Sequence, residues 1–215
     1  MVPHRICTLS LISTAARIEN TVGFVENLWT RINMFRPKSL DQSVTDAAHS
    51  LFSERWLNAP DSTILPNSST PNVDFPPSGV YATFTTNYER FAAQELTKRL
   101  DPSGFPKKGF MMQAIAAGWH YKSPAQLQEI REKVGAGRIQ VLHGTSDNMI
   151  SVPHGRKLIE WLKPGRSLVK EGVGHVFMLE ETDFHDAVVE ELVLRAEKMQ
   201  KEGKDPGVVN EDWGV

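Results

Sequence analysis

The feature that most constrains this chain is an alternation of strand and helix patterns over residues 138–199. Residues 138–143, Arg-Ile-Gln-Val-Leu-His, are a short apolar run that reads as a strand. Residues 153–162 read as a helix, ended by Lys163-Pro164-Gly165. Residues 166–170 read as the next strand, and residues 182–199 place Phe184, Val188, Leu192, Ala196 and Met199 at helical spacing. A β-α-β-α order of this kind implies parallel strands joined by helical crossovers. In such sheets functional groups gather on the loops at the carboxyl ends of the strands.

Each of these strands runs into a loop that carries a titratable residue. Asp147 follows the first, in Gly144-Thr145-Ser146-Asp147-Asn148, and His175 follows the second, in Gly172-Val173-Gly174-His175. Neighbouring parallel strands set the two loops side by side, so a carboxylate–imidazole hydrogen bond is expected there. Gly172 and Gly174 suit the tight turn that presents the histidine. Alone, an aspartate in such a stretch is a turn residue bonded to nearby backbone, and an isolated Gly-His says less still. The two in this order, each after a strand, are far more specific.

Upstream, residues 5–13 read as a mostly buried strand through Ile6, Leu9, Leu11 and Ile12, with Cys7 as inert packing inside it. Val22, Val25, Leu28, Ile32 and Phe35 mark an amphipathic helix over residues 18–36, stopped by Pro37. Residues 41–52 look like another helix. Residues 59–79 hold Pro60, Pro66, Pro71, Pro76 and Pro77 and read as a surface loop. A helix is expected over 87–100, with Phe91, Leu96 and Leu100 on one side, and a more apolar one over 108–119 around Met111, Met112, Ile115 and Ala116. Met111 and Met112 read as helix packing first and pocket lining second, Trp119 as core and His120 as a boundary residue. Ser123 can cap a short helix that has Pro124 at its first position and runs to Val134.

Composition narrows the partners. The 215 residues suffice for one sizeable domain, and 40% hydrophobic with 23% charged residues is ordinary for a soluble globular protein. A net charge of −2 offers no basic field to hold nucleic acid or an anionic membrane surface. No apolar run approaches the ~18 residues of a membrane span, and the first residues have too short an apolar stretch for a secretory signal. A cytoplasmic location is therefore expected. Cys7, the single cysteine, excludes an internal disulfide and any multi-cysteine zinc site. No His-Glu-x-x-His, Gly-x-Gly-x-x-Gly or P-loop occurs, so neither a metal nor a nucleotide cofactor is expected. Asn67-Ser68-Ser69 matches a glycosylation sequon and reads as a chance match.

The stretches Val141-Leu142-His143-Gly144-Thr145-Ser146-Asp147-Asn148-Met149-Ile150-Ser151-Val152-Pro153 and Glu171-Gly172-Val173-Gly174-His175-Val176 resemble the acid and histidine segments of the α/β-hydrolase fold family. Residues 5–17 resemble the strand after that family's nucleophile helix, and the helical stretch that follows resembles its cap. The resemblance implies an α/β fold: a partial α/β-hydrolase sheet of three parallel C-terminal strands with crossover helices, plus a helical cap. Residues 1–17 are then a core strand, 18–134 the cap or insertion, 135–200 the C-terminal core and 201–215 a flexible tail. Residues near 18–35 and 105–120 are expected to fold over the site, with Phe24, Trp29, Met111 and Met112 as apolar walls.

The implied activity is cofactor-free hydrolysis of ester-like or amide-like bonds in small molecules. His175 would be the general base and acid and Asp147 its orienting carboxylate. Esterases, lipases, peptidases and epoxide or C–C bond hydrolases share these features, and membership does not choose among them. The family's nucleophile motif, Gly-x-Ser-x-Gly, occurs nowhere in the 215 residues, nor does a His-Gly-Gly-Gly oxyanion segment. Both are expected upstream of Met1, and a truncated gene model, a fragment or a pseudo-enzyme would each account for that. The isolated chain is accordingly expected to be inactive. The alternative is a non-catalytic binding or scaffold protein of the same fold. Ile6–Ile12 is expected to have lost a neighbouring strand, which invites self-association through the open sheet edge.

Overall fold

A computed structural model describes residues 6–21, 23, 36–101, 103, 104 and 106–203. Three strands form one parallel sheet in chain order: β1 (Leu9–Ile12), β2 (Ile139–Gly144) and β3 (Arg166–Lys170). The register sets Leu9 beside Ile139 and Ile12 beside Leu142, then Gln140 beside Arg166 and Gly144 beside Lys170. All six residues of β2 are buried, as befits a parallel strand covered on both faces.

The alternation of β2 divides the core. Ile139 and Val141 face one side and pack with Ala16, Leu127, Val134, Leu158 and Leu162. Those residues place the helices α5 (Pro124–Val134) and α6 (Val152–Leu162) on that face. Leu142 points the other way, onto Val173, Phe177 and Val188, beneath α7 (Phe177–Glu180) and α8 (Thr182–Glu202). A third cluster joins Val44, Ala48, Phe52, Leu57 and Phe91 from α1 (Leu40–Leu51), α2 (Glu54–Leu57) and α3 (Asn87–Leu100), with Phe52 closing the end of α1.

Local chemistry explains the boundaries. Ser39, Ser53, Thr86 and Ser123 each accept a backbone N–H at the start of α1, α2, α3 and α5. Ser123 and Gln126 complete a reciprocal capping box, with Pro124 at the first position as the sequence predicts. The helix α6 ends on Lys163, held at φ 48°, ahead of Pro164. The chain leaving β1 crosses the start of α6: the Glu19 N–H meets His154 Nε2 at 3.0 Å, Thr21 Oγ1 lies 2.8 Å from Ser151 Oγ, and Lys157 pairs with Glu19.

Several expectations are corrected. β1 begins at Leu9, so Cys7 lies ahead of it and is exposed. The helix α4 (Lys107–Trp119) forms where expected, but residues 111–119 are exposed. Met111 is 48%, Met112 53% and Trp119 86% exposed, so none of them is core. No single apolar stripe marks α4, so its sequence does not say which side turns inward. Leu100, at the end of α3, is exposed as well. In the expected tail, Lys201 and Glu202 continue α8 to Gly203, and residues 204–215 lie outside the described residues. Most of the helix expected over 18–36 also lies outside them, including Phe24 and Trp29. Among the described residues no helix is long and apolar enough to cross a membrane.

Candidate active site

The loops after β2 and β3 meet at the carboxyl end of the sheet. The Thr145 N–H donates to the Lys170 carbonyl and the Ser146 N–H to the Val173 carbonyl, both at 2.9 Å. The Gly172 N–H donates to Thr145 Oγ1 at 2.8 Å. Glycine is required where the loops touch, because a Cβ on Gly144 would lie 2.0 Å from the Val173 carbonyl oxygen. Gly172, at φ +71°, supplies the left-handed turn that sends the chain back toward the sheet.

Asp147 and His175 come together there. The His175 Nδ1–H donates to Asp147 Oδ2 at 2.9 Å. The other carboxylate oxygen, Oδ1, accepts the Met149 N–H at 2.9 Å and the Ile150 N–H at 2.7 Å. Asp147 is buried, while the His175 side chain keeps 20% of its surface open. A carboxylate accepts only, so the neutral imidazole carries its proton on Nδ1 and leaves the Nε2 lone pair for chemistry. A carboxylate so placed can fix the imidazole tautomer, and Nε2 can accept a proton.

A third residue, missed in the sequence, borders the pair. His143, at the end of β2, is fully buried with Nε2 2.7 Å from the Ile150 carbonyl oxygen and 3.5 Å from Asp147 Oδ2. Burial, above all, holds its pKa below the ordinary imidazole range, against the opposing pull of the Ile150 carbonyl and Asp147. The one available signal was a histidine closing an otherwise apolar strand.

Both site loops are also fastened to the helices α1 and α2. The Val176 N–H donates to the Leu51 carbonyl at 3.0 Å, and Asn148 Nδ2 to the His49 carbonyl at 2.9 Å. Glu180 takes the Ser53 N–H on Oε1 at 2.7 Å and the Ser53 hydroxyl on Oε2 at 2.6 Å. The helices α1 and α2 are thus set against the two site loops. Among the described residues no group of three or more His, Cys, Asp or Glu side chains is placed to hold a metal ion.

No protein-family model matches the chain, and no curated protein matches it significantly. Solved structures do. BpoC of Mycobacterium tuberculosis H37Rv, described as a non-heme bromoperoxidase, is similar with a TM-score of 0.56 at 14% identity. The match covers 91% of this chain and 60% of BpoC. Rv0554 from Mycobacterium tuberculosis gives a TM-score of 0.53 at 12% identity, over 89% of this chain and 58% of that protein. The chain thus spans about 60% of the length of the structures it resembles. Three parallel strands in one sheet with flanking helices, together with the likeness to these structures, give this chain a partial α/β-hydrolase fold.

Proposed function

We propose that the chain carries the acid–base half of a cofactor-free hydrolase acting on ester-like or amide-like bonds in small molecules. The observation that supports this most is the 2.9 Å Asp147–His175 hydrogen bond at the carboxyl end of the sheet. In this reading Asp147 holds the Nδ1–H tautomer and stabilises the imidazolium that forms. His175 Nε2 takes a proton from an attacking hydroxyl or water and returns it to the leaving oxygen or nitrogen. Residues 18–134 act as the cap, with α1 and α2 fastened to both site loops, and a small-molecule ligand enters beneath them.

The 215 residues hold no Gly-x-Ser-x-Gly, so the pair alone can lend only general-base help to water. We expect the purified chain to turn over short-chain p-nitrophenyl esters no faster than a His175→Ala control. A clear His175-dependent rate would overturn the expectation of an inactive chain. The missing motif favours a second reading, a non-catalytic binding or scaffold protein. Genomic sequence ahead of the Met1 codon separates the two. An in-frame Gly-x-Ser-x-Gly preceded by strand patterns supports the hydrolase reading, and its absence supports the binding protein.

A further inference from the structure

Two imidazoles, not one, approach the Asp147 carboxylate. We propose that His143 is a positioning residue for the acid: its Nε2–H holds the Ile150 carbonyl, closes the turn over residues 147–150 and keeps Asp147 Oδ2 aimed at His175. This rests on the reading of Asp147 and His175 as a working pair.

Burying His143 carries a cost. His143 shares its face of β2 with Ile139 and Val141, and a polar side chain buried there is unfavourable unless it is paired. Its hydrogen bond goes to the Ile150 carbonyl at 2.7 Å, while the Ile150 N–H donates to Asp147 Oδ1 at 2.7 Å. One residue is therefore held at both of its backbone polar groups, by His143 on one side and by the acid on the other. A carbonyl only accepts, so His143 carries its proton on Nε2. That places a donor 3.5 Å from Asp147 Oδ2, the oxygen His175 uses. Nδ1 then bears a lone pair, and it has no hydrogen-bond partner among the described residues.

Packing fixes the ring. A Cβ on Gly155 would lie 2.5 Å from both Cγ and Nδ1 of His143, so α6 approaches the imidazole as closely as a bare backbone allows. The titratable groups that face His143 are Asp147, His175 and His154. Burial keeps His143 neutral, so it does not compete with His175 as a cation for the shared carboxylate.

The test reads the His175 Nδ1–H itself. An imidazole N–H bonded to a carboxylate gives a low-field proton resonance protected from solvent exchange. It is recorded on the full 15N-histidine-labelled chain, with cooperative thermal unfolding as the check of folding. The variants are Asp147→Asn, His143→Phe, His143→Asn, His143→Gln and Gly155→Ala. The resonance should be present in the native chain and in His143→Gln, whose side-chain amide reaches the Ile150 carbonyl. It should be lost or shifted upfield in Asp147→Asn, His143→Phe and the too-short His143→Asn, and weakened in Gly155→Ala, where the ring is crowded. If one of the two disrupting His143 variants fails to fold, the other and Gly155→Ala carry the comparison. A resonance unchanged in the folded disrupting variants but lost in Asp147→Asn overturns the positioning role and leaves the pair standing. A native chain without the resonance, or Asp147→Asn retaining it, overturns the pair itself and this role with it.

Discussion

Protonating His143 puts a charge inside the sheet whose loss of hydration outweighs the pull of Asp147, and that has a consequence for stability. Its folded pKa lies below the ordinary imidazole value, with burial as the main cause. Above that ordinary value, about 6.5, both folded and unfolded chains hold the imidazole neutral and His143 adds no pH dependence. As pH falls through about 6.5 the unfolded chain binds the proton and the folded chain does not, so folding stability declines on acidification. Replacing the titrating ring by an amide removes this slope. His143→Gln should therefore lose less stability than the native chain between pH 7 and 5, the slopes differing by at most about 1.4 kcal/mol per pH unit. Urea unfolding at several pH values measures it. Parallel curves for the two proteins would show that His143 ionises as readily folded as unfolded.

At the scale of elements, the histidine loop is wedged between β2 and the pair α1–α2, and Gly174 marks the tightest point. A Cβ there would lie 2.5 Å from Glu180 Oε1, 2.7 Å from the Ser53 nitrogen and 2.9 Å from the Leu51 carbonyl oxygen. Two of those atoms are backbone and cannot swing aside. Gly174→Ala should cost roughly 1–3 kcal/mol and speed amide exchange at Val176, whose N–H bonds the Leu51 carbonyl. Gly172→Ala is the contrast: its φ of +71° strains any side chain, but nothing lies within 4 Å. That change should cost about 1 kcal/mol and leave Val176 protected. Equal loss of protection in both variants would mean that the loop is not held by α1.

Much of this element pattern is legible in the sequence, and the exceptions share a cause. Strand β3 falls on residues 166–170 as expected, and β2 is shifted by one residue. The stripe Val188, Leu192, Ala196 and Met199 is buried in α8. Asp147 and His175 are recognisable because a strand and a turn bring each to the same sheet end, which is local information. The contacts of Glu180 with Ser53 join residues far apart in the chain, and α2 and α7 are too short to show periodicity. His143 is hidden because a histidine in an apolar strand looks like an interruption until its partner, Ile150, folds back on it. In α4 the apolar residues are present, but composition alone did not say whether anything covers them.

The whole molecule turns on what lies beside β1. Among the described residues β1 pairs with β2 alone, and its residues are only half-buried while those of β2 are buried throughout. Leu9, Leu11 and Ile12 stand on that outer strand with no proline or lysine in it to discourage pairing. An open edge of this kind is a template for association. The exposed Met111, Met112, Ile115 and Trp119 of α4 add a second apolar surface, which attracts dyes but lacks unpaired backbone groups. The two sources separate by mutation. The purified chain should self-associate with rising concentration on size-exclusion chromatography and bind a hydrophobic dye. The double substitution Met112→Lys and Trp119→Lys should lower the dye signal and leave association in place, because the strand edge drives it. Loss of association in that double variant would assign it to α4 instead. A sharp monomer peak with no dye signal and cooperative unfolding would show that the chain closes its own edge, and the expectation of self-association would fall.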